Sequence, residues 1–285
     1  MRFGCVLLTM GRRPEDLRRA LDSLLAQRGV ALDVVVVGNE WEPAGLPDGV
    51  RGVGSPENLG IPAGRNLGVP HTTGELLFFL DDDASLAAPD ALAAVARRFE
   101  ADPRLGLLQL RVAPRDGGAS ARDWVPRLHV GDRSRSSDVT VVWEGAVAMR
   151  RAVFEAVGGW PGDFGFVHEG VDLGWRVMDA GLRVAYAGDI VALHPSPTGT
   201  PHGYSFYYGA RNRVWLARRH LPLPLAVLYV TGFVLRTLPR LRSPQDAHEA
   251  LRGYRDGLRG PAGVRKPLKA GTLWRMTRAG RPPIM

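Results

Sequence analysis

Apolar positions in the first part of the chain fall into two alternating rhythms. Residues 5–9 form a short unbroken apolar run that ends on Thr9, the pattern of a strand buried on both faces of a parallel sheet. After a turn over 11–14, Leu17, Ala20, Leu21, Leu24 and Leu25 recur at helical spacing and predict an amphipathic helix over 15–27. The rhythm then repeats. Buried strands are predicted over 33–37, running out into Gly38, Asn39 and Glu40, and over 76–80, running out into Asp81, Asp82 and Asp83. A helix over 88–100 and a strand over 105–112 follow. Such alternation predicts an α/β fold with a mostly parallel central sheet and helices on both faces. In sheets of this kind ligands bind beyond the carboxyl ends of the strands, where Thr9, Asn39 and the three aspartates fall. Residues 114–137 are polar and rich in Gly, Ser and Arg, and predict a long surface loop. Strand character returns over 139–149, helical character over 171–180 and an extended segment over 184–193.

Composition narrows this picture. With 285 residues, 45% of them hydrophobic, the chain can bury a sizeable core in one large α/β domain. Its one cysteine, Cys5, excludes an intramolecular disulfide and a multi-cysteine zinc site. Lying in an apolar run, it predicts a buried, inert thiol. The first residues lead straight into a strand with no apolar signal segment, so a cytoplasmic protein is expected. The formal charge of +8 conceals a division: from Arg211 onward sixteen basic side chains face three acids, and the preceding part is mildly acidic. A catalytic domain over 1–220 is therefore expected, followed by a helical basic tail over 221–285. The uncharged run 221–235 contains Pro222, Pro224 and Gly232 and is flanked by Arg218, Arg219, Arg236, Arg240 and Arg242. It is short for a membrane span, which needs about 20 apolar residues. It suits either an interfacial helix at an anionic membrane surface or a helix packed on the domain.

Three consecutive carboxylates after an apolar strand repel one another unless a cation sits among them. In an extended segment residues i and i+2 point the same way, so Asp81 and Asp83 can address one ion while Asp82 faces elsewhere. Hard oxygen ligands suit Mg2+ or Mn2+ carrying a diphosphate; a solvated acidic turn would leave the same trace. Further along, Glu169, Asp172 and Arg176 share a helical face. A carboxylate at that helix's start could take a proton from a hydroxyl, although Asp172 with Arg176 is also an ordinary i,i+4 ion pair. Thr9 and Asn39 could hydrogen-bond a nucleobase or ribose, and the Arg65 fork could meet a nucleotide. Trp143, Trp160 and Trp175 suit aromatic core packing better than sugar stacking.

Taken in order, these segments resemble family 2 glycosyltransferases with the GT-A fold, in the subgroup that contains bacterial rhamnosyl- and galactofuranosyltransferases. The segment from Asn58-Leu59-Gly60 to Arg65-Asn66-Leu67-Gly68 is similar to the loop beside the donor nucleotide, and Leu80 to Asp83 resembles the Asp-x-Asp metal motif. Glu144-Gly145, Arg150-Arg151 and Gly158-Gly159-Trp160 resemble the acceptor side, and His168 to Arg176 resembles the element carrying the catalytic base. His194 resembles a further metal ligand, and Arg211 and Asn212 resemble a segment near the diphosphate. The resemblance implies metal-dependent, inverting transfer of a sugar from a nucleotide diphosphate donor to a hydroxyl of a glycan, lipid-linked glycan or small aglycone, in polysaccharide or glycoconjugate synthesis. It implies donor contacts from Thr9, Asn39, Asn58, Arg65, Asp81, Asp82 and Arg211, and metal ligation by Asp81, Asp83 and His194. Two departures stand out. Many members have Asp-Asn where this chain has Gly38-Asn39, and the usual base position is Gly170, which leaves Glu169 first and Asp172 second as the base. A sugar-nucleotide nucleotidyltransferase is the rival enzyme, but Gly11-Arg12-Arg13 only faintly resembles the triphosphate loop it requires. A nucleic-acid-binding protein would set aromatic platforms within its basic stripe. Here the basic excess follows an apolar run instead, so no nucleic acid is expected.

Overall fold

The computed structural model describes residues 1–196 and 203–284. Nine strands and nine α-helices are found among them. In chain order they are β1 (Arg2–Thr9), α1 (Pro14–Leu25), β2 (Ala31–Asn39), β3 (Val50–Ser55), α2 (Ile61–Gly68), β4 (Leu76–Asp81), β5 (Ser85–Leu86), α3 (Ala91–Ala101) and β6 (Leu105–Pro114). Then follow β7 (Ser137–Asp138), β8 (Ala146–Arg150), α4 (Arg151–Ala156), α5 (Glu169–Asp179), β9 (Arg183–His194), α6 (Gly203–His220), α7 (Leu223–Thr237), α8 (Pro244–Arg259) and α9 (Ala270–Arg278). The sheet order is β3-β2-β1-β4-β8-β6-β9-β5, with β7 on β9. The six longest strands run in one direction, and only the short β5, β7 and β8 are reversed. The mostly parallel sheet expected from the alternation is present. Because β2 and β4 flank β1 on opposite sides, the strand order reverses there and opens a crevice at the carboxyl ends of β1 and β4.

Two apolar layers sandwich the sheet. One face carries α1 and α3 through Leu17, Leu21, Leu24, Leu92 and Phe99. The other is covered by α4 and α5 and reaches into the C-terminal helices, with Phe154, Leu173, Trp175, Leu216, Tyr229 and Met276 in one cluster. Cys5 is fully buried, as its apolar run predicts, and burial raises its thiol well above the ordinary range.

Several elements depart from the sequence expectation, each for a local reason. Helix α2 carries Pro62, Gly64 and Gly68, poor helix formers. Its glycines are there for close approach: a β-carbon would lie 2.5 Å from Leu8 at Gly64 and 2.6 Å from Val6 at Gly68. The segment 114–137 is not a surface loop throughout. Trp124 and Val125 are buried, and the fully buried Gln109 donates to the Trp124 carbonyl at 2.7 Å while accepting from the Trp143 amide at 2.7 Å. One polar side chain thus anchors both ends of an apolar plug over the sheet. Of the strand expected over 139–149 only the end forms, as β8 (Ala146–Arg150).

The C-terminal helices are packed against the rest of the chain. Helix α8 approaches α6 closely at Gly253 and Gly257, where a β-carbon would lie 2.3 Å from the Tyr207 carbonyl and 2.8 Å from Val214. Helix α9 begins where Lys269 N and Thr272 Oγ1 both donate to Asp179 at 2.9 Å. Helix α7 differs, leaving Leu223, Val227, Leu228 and Leu235 exposed. No helix among the described residues is long and apolar enough to cross a membrane.

Candidate active site

The carboxyl ends of the parallel strands converge on one acidic cluster. Asp81 closes β4, Asp83 lies two residues beyond, and His194 closes β9. Ligand atoms of all three lie within 4.8 Å of one another. Two carboxylates and an imidazole at this spacing could hold a metal ion. His194 Nε2 lies 3.1 Å from Asp83, and its Nδ1 lies 2.8 Å from the Pro195 carbonyl, a contact that fixes the ring. Trp124 and Trp143 pack edge-on against that ring. Burial lowers the His194 pKa, but the Asp83 carboxylate outweighs it and the net shift is upward. Asp83 moves the other way: burial raises it, and His194 with Arg13 pull it below the ordinary value.

Asp82 lies in the turn after β4 and lines the same cavity as the cluster, with its carboxylate taken up by other partners. It accepts a 2.6 Å hydrogen bond from Thr9 Oγ1 and pairs with Arg13 at 2.5 Å, and burial pushes its pKa up to about 6. Arg13 also pairs with Asp83. It was missed from sequence because its partners lie some seventy positions away and nothing local marks it. Asn39, at the end of β2, accepts from Leu59 N at 2.7 Å and donates to Asn58 at 2.9 Å, so these two residues shape the entry to α2. Arg65, buried on α2, donates to Asp81 at 2.6 Å, and its Nη1 is sealed without a partner. Arg211 lies apart, donating to the Phe164 carbonyl at 2.6 Å and covering Tyr208 and Trp215.

Across Asp81 sits a pair of glutamates. Glu169 begins α5 and is buried, with Oε2 lacking a partner. The backbone before it is strained: Val167 and His168 have φ of 55° and 71°, a left-handed conformation that costs a β-branched residue dearly. Asn212, fully buried, holds that turn, its amide nitrogen lying 3.1, 2.7 and 2.9 Å from the carbonyls of Phe164, Phe166 and Val167. Glu144 accepts from Gly170 N at 2.5 Å. Burial raises both carboxyls, and the Glu169 charge helps push Glu144 up to about 8. Gly170 has no room for a side chain, since a β-carbon would lie 2.2 Å from the Val142 carbonyl. Asp172 is turned from this group. It is bound by Arg176 at 2.5 Å and by His220 at 2.6 Å; against burial, these partners hold its pKa down at about 2.

Two cavities meet at Ile61, Arg65 and Asp81. One, of about 430 Å3, contains Thr9, Arg13 and the three metal-ligand candidates. The other, of about 670 Å3, contains Trp143, Glu144 and Glu169. Asp172 lines neither; it borders a separate cavity with Arg176, Arg219 and His220. Trp160 and Trp175 are core residues.

A family profile described as Glycosyl transferase family 2 matches residues 5–158, more than half of the chain, including Asp81 and Asp83 of the acidic cluster but not His194. The chain belongs to glycosyl transferase family 2. The O-antigen biosynthesis protein RfbC of Myxococcus xanthus is 25% identical over 285 residues, covering 86% of this chain and 21% of that protein. The glucosyl-dolichyl phosphate glucuronosyltransferase of Haloferax volcanii is 28% identical over 184 residues, 56% of each. This glycosyltransferase thus spans about a fifth to just over half of the length of those curated relatives. Among solved structures, S. aureus TarS 1-349 has a TM-score of 0.61 at 15% identity, covering 92% of this chain and 82% of that one. The mannosyltransferase PcManGT from Pyrobaculum calidifontis, solved with GDP-Man and Mn2+, has a TM-score of 0.57 at 18% identity, covering 98% and 72%. At these identities the likeness shows the fold, which is the expected GT-A fold.

Proposed function

We propose that this glycosyltransferase moves a sugar from a nucleotide diphosphate donor to an acceptor hydroxyl in one inverting displacement. The observation that carries the reading is the junction of the two cavities at Asp81. It sets the acidic cluster on one side and the buried Glu169 on the other. Thr9, Asn39, Asn58 and Arg65 line or shape the donor side, and Asp81, Asp83 and His194 hold Mg2+ or Mn2+. That ion would neutralise the leaving diphosphate. Glu169 takes the proton from the acceptor hydroxyl. A base works best with its pKa near the operating pH, and burial moves Glu169 in that direction. Glu144, raised by burial and by the Glu169 charge, titrates together with Glu169, so the pair resists carrying two negative charges.

Thermal melting with UDP-, GDP- and dTDP-sugars, with and without Mn2+, tests the donor assignment. Specific binding stabilises the native state, so at least one donor raises Tm in a Mn2+-dependent way. The panel should include dTDP-rhamnose and UDP-galactofuranose, the donors of the subgroup the sequence resembles. If none shifts Tm, the donor reading fails. Turnover of a nucleoside triphosphate with a sugar phosphate would favour the nucleotidyltransferase instead.

We further place the enzyme at the inner face of the plasma membrane, held there by α7. Its exposed leucines and the arginines flanking it support that placement, since basic residues near an anionic surface contribute on the order of 1 kcal/mol each. Co-sedimentation with anionic vesicles, weakened by salt and by Val227→Glu with Leu235→Glu, is the expected result. Protein that stays in the supernatant at low salt would remove the membrane from the proposal.

A further inference from the structure

The larger cavity has a second pole that the reaction scheme above does not use. Four arginines line it away from the acidic cluster: Arg213 from α6, Arg236 from α7, Arg240 just beyond α7 and Arg281 after α9. None lines the cavity that holds the metal-ligand candidates. Among the described residues none of the four forms an ion pair, and neither does Asp123 in the same cavity wall. Arg213 Nε is sealed from solvent with no acceptor, and the Arg213 guanidinium stacks on Phe233 at 3.9 Å. Arg236 lies over the same ring at 5.4 Å. Arg281 reaches the Pro126 carbonyl at 3.3 Å, and Arg240 donates to the Arg236 carbonyl.

Four like charges gathered from three separate parts of the chain repel one another, and an unpaired, partly desolvated cation is costly. Burial and the nearby Arg240 and Arg236 lower the Arg213 pKa. Burial, then Arg213 and Arg281, pull His168 well below its ordinary value, so the histidine wall adds no positive charge of its own. Such a cluster is stable when an anion occupies it, and guanidinium forks match phosphate oxygens in bidentate fashion. The donor diphosphate has its place at the metal cluster in the other cavity, which leaves the second substrate.

We infer that the basic pole of this cavity binds a phosphate or diphosphate group carried by the acceptor. The inference rests on the proposed transferase reading, because it takes the larger cavity as the acceptor side. Glu169 and the arginines would then hold one acceptor at two points, its hydroxyl at the base and its phosphate among the guanidinium groups. The exposed apolar side of α7, the helix that supplies Arg236, offers a surface for the hydrocarbon of a lipid-borne phosphate.

Calorimetry of the full chain with inorganic pyrophosphate, in EDTA and at low salt, tests this apart from the donor site. Saturable binding is expected in the wild type. Arg236→Gln with Arg240→Gln, both exposed, should weaken it roughly tenfold or more, the scale of a lost charge-assisted hydrogen bond. Arg213→Gln should do the same, with Tm measured alongside. Mn2+-dependent UDP binding should survive the arginine changes, whereas Asp83→Asn should lose UDP and keep pyrophosphate. Geranyl diphosphate binding more tightly than pyrophosphate would identify a lipid-borne acceptor; equal affinities would identify a water-soluble one. The inference is overturned if the wild type takes up no pyrophosphate in EDTA, or if both arginine variants bind it unchanged. It is also overturned if the arginine variants lose UDP binding, which would assign the cluster to the donor. Loss of UDP binding in the wild type with pyrophosphate binding intact would count against the donor reading alone.

Discussion

Asp83→Asn abolishes metal-dependent binding of the donor nucleotide and leaves the fold standing. Asp83 and Asp81 supply the two carboxylates of the acidic cluster, and an amide at position 83 removes the charge that a divalent ion requires. The structural cost is small, because Arg13 retains Asp82 and the strand ends are set by the sheet. Calorimetry of UDP and GDP with Mn2+ should therefore show loss of binding, while the melting temperature without ligand moves little. Unchanged nucleotide affinity in the variant would show that the cluster is not a metal site. A collapsed melting temperature would show that Asp83 is held for stability.

Glu169→Gln lowers turnover by about 10²-fold or more, the range set by loss of a general base, with donor affinity nearly preserved. Glutamine keeps the shape but cannot accept the proton. The informative controls are the neighbouring acids. Glu144→Gln should be mild, since a glutamine oxygen can still accept the hydrogen bond from Gly170 N. Asp172→Asn should act on stability, because it leaves Arg176 and His220 around a neutral group; breaking a buried pair typically costs about 3–5 kcal/mol. If Glu144→Gln cripples turnover and Glu169→Gln does not, the two glutamates exchange roles. If Asp172→Asn removes turnover at unchanged Tm, the base lies on the far side of α5.

The parallel core was legible because β1, β2 and β4 are buried on both faces and read as unbroken apolar runs ending in polar residues. Those endings placed Thr9, Asn39 and the aspartates correctly at one edge of the sheet. Helix α2 was illegible for the opposite reason: Gly64 and Gly68 are chosen for contact with Leu8 and Val6, so tertiary contact overrides local propensity. The loop over 114–137 hid Trp124 and Val125 among polar residues, and no periodicity marks a plug held by a single glutamine. Arg13 and the arginine cluster depend on pairings between residues far apart in the chain, which one sequence does not display. At α5, the helical spacing of Glu169, Asp172 and Arg176 was read correctly as a pattern. It could not say which carboxylate turns to the cavity and which to Arg176.

The empty position at Gly170 sets a limit on how this site can be rebuilt. Many family members place their acid at that position, and grafting it here looks like a one-residue exchange. It is not, because the obstruction is a main-chain carbonyl, that of Val142, and trimming a neighbouring side chain cannot clear it. Restoring the acid requires the 140–144 segment to follow another route, and with it Glu144 and Trp143 in the cavity wall. Sequences that carry an acid at this point of α5 should therefore also differ in that segment. The steric contact ties the two stretches together, and a chimera should exchange them together.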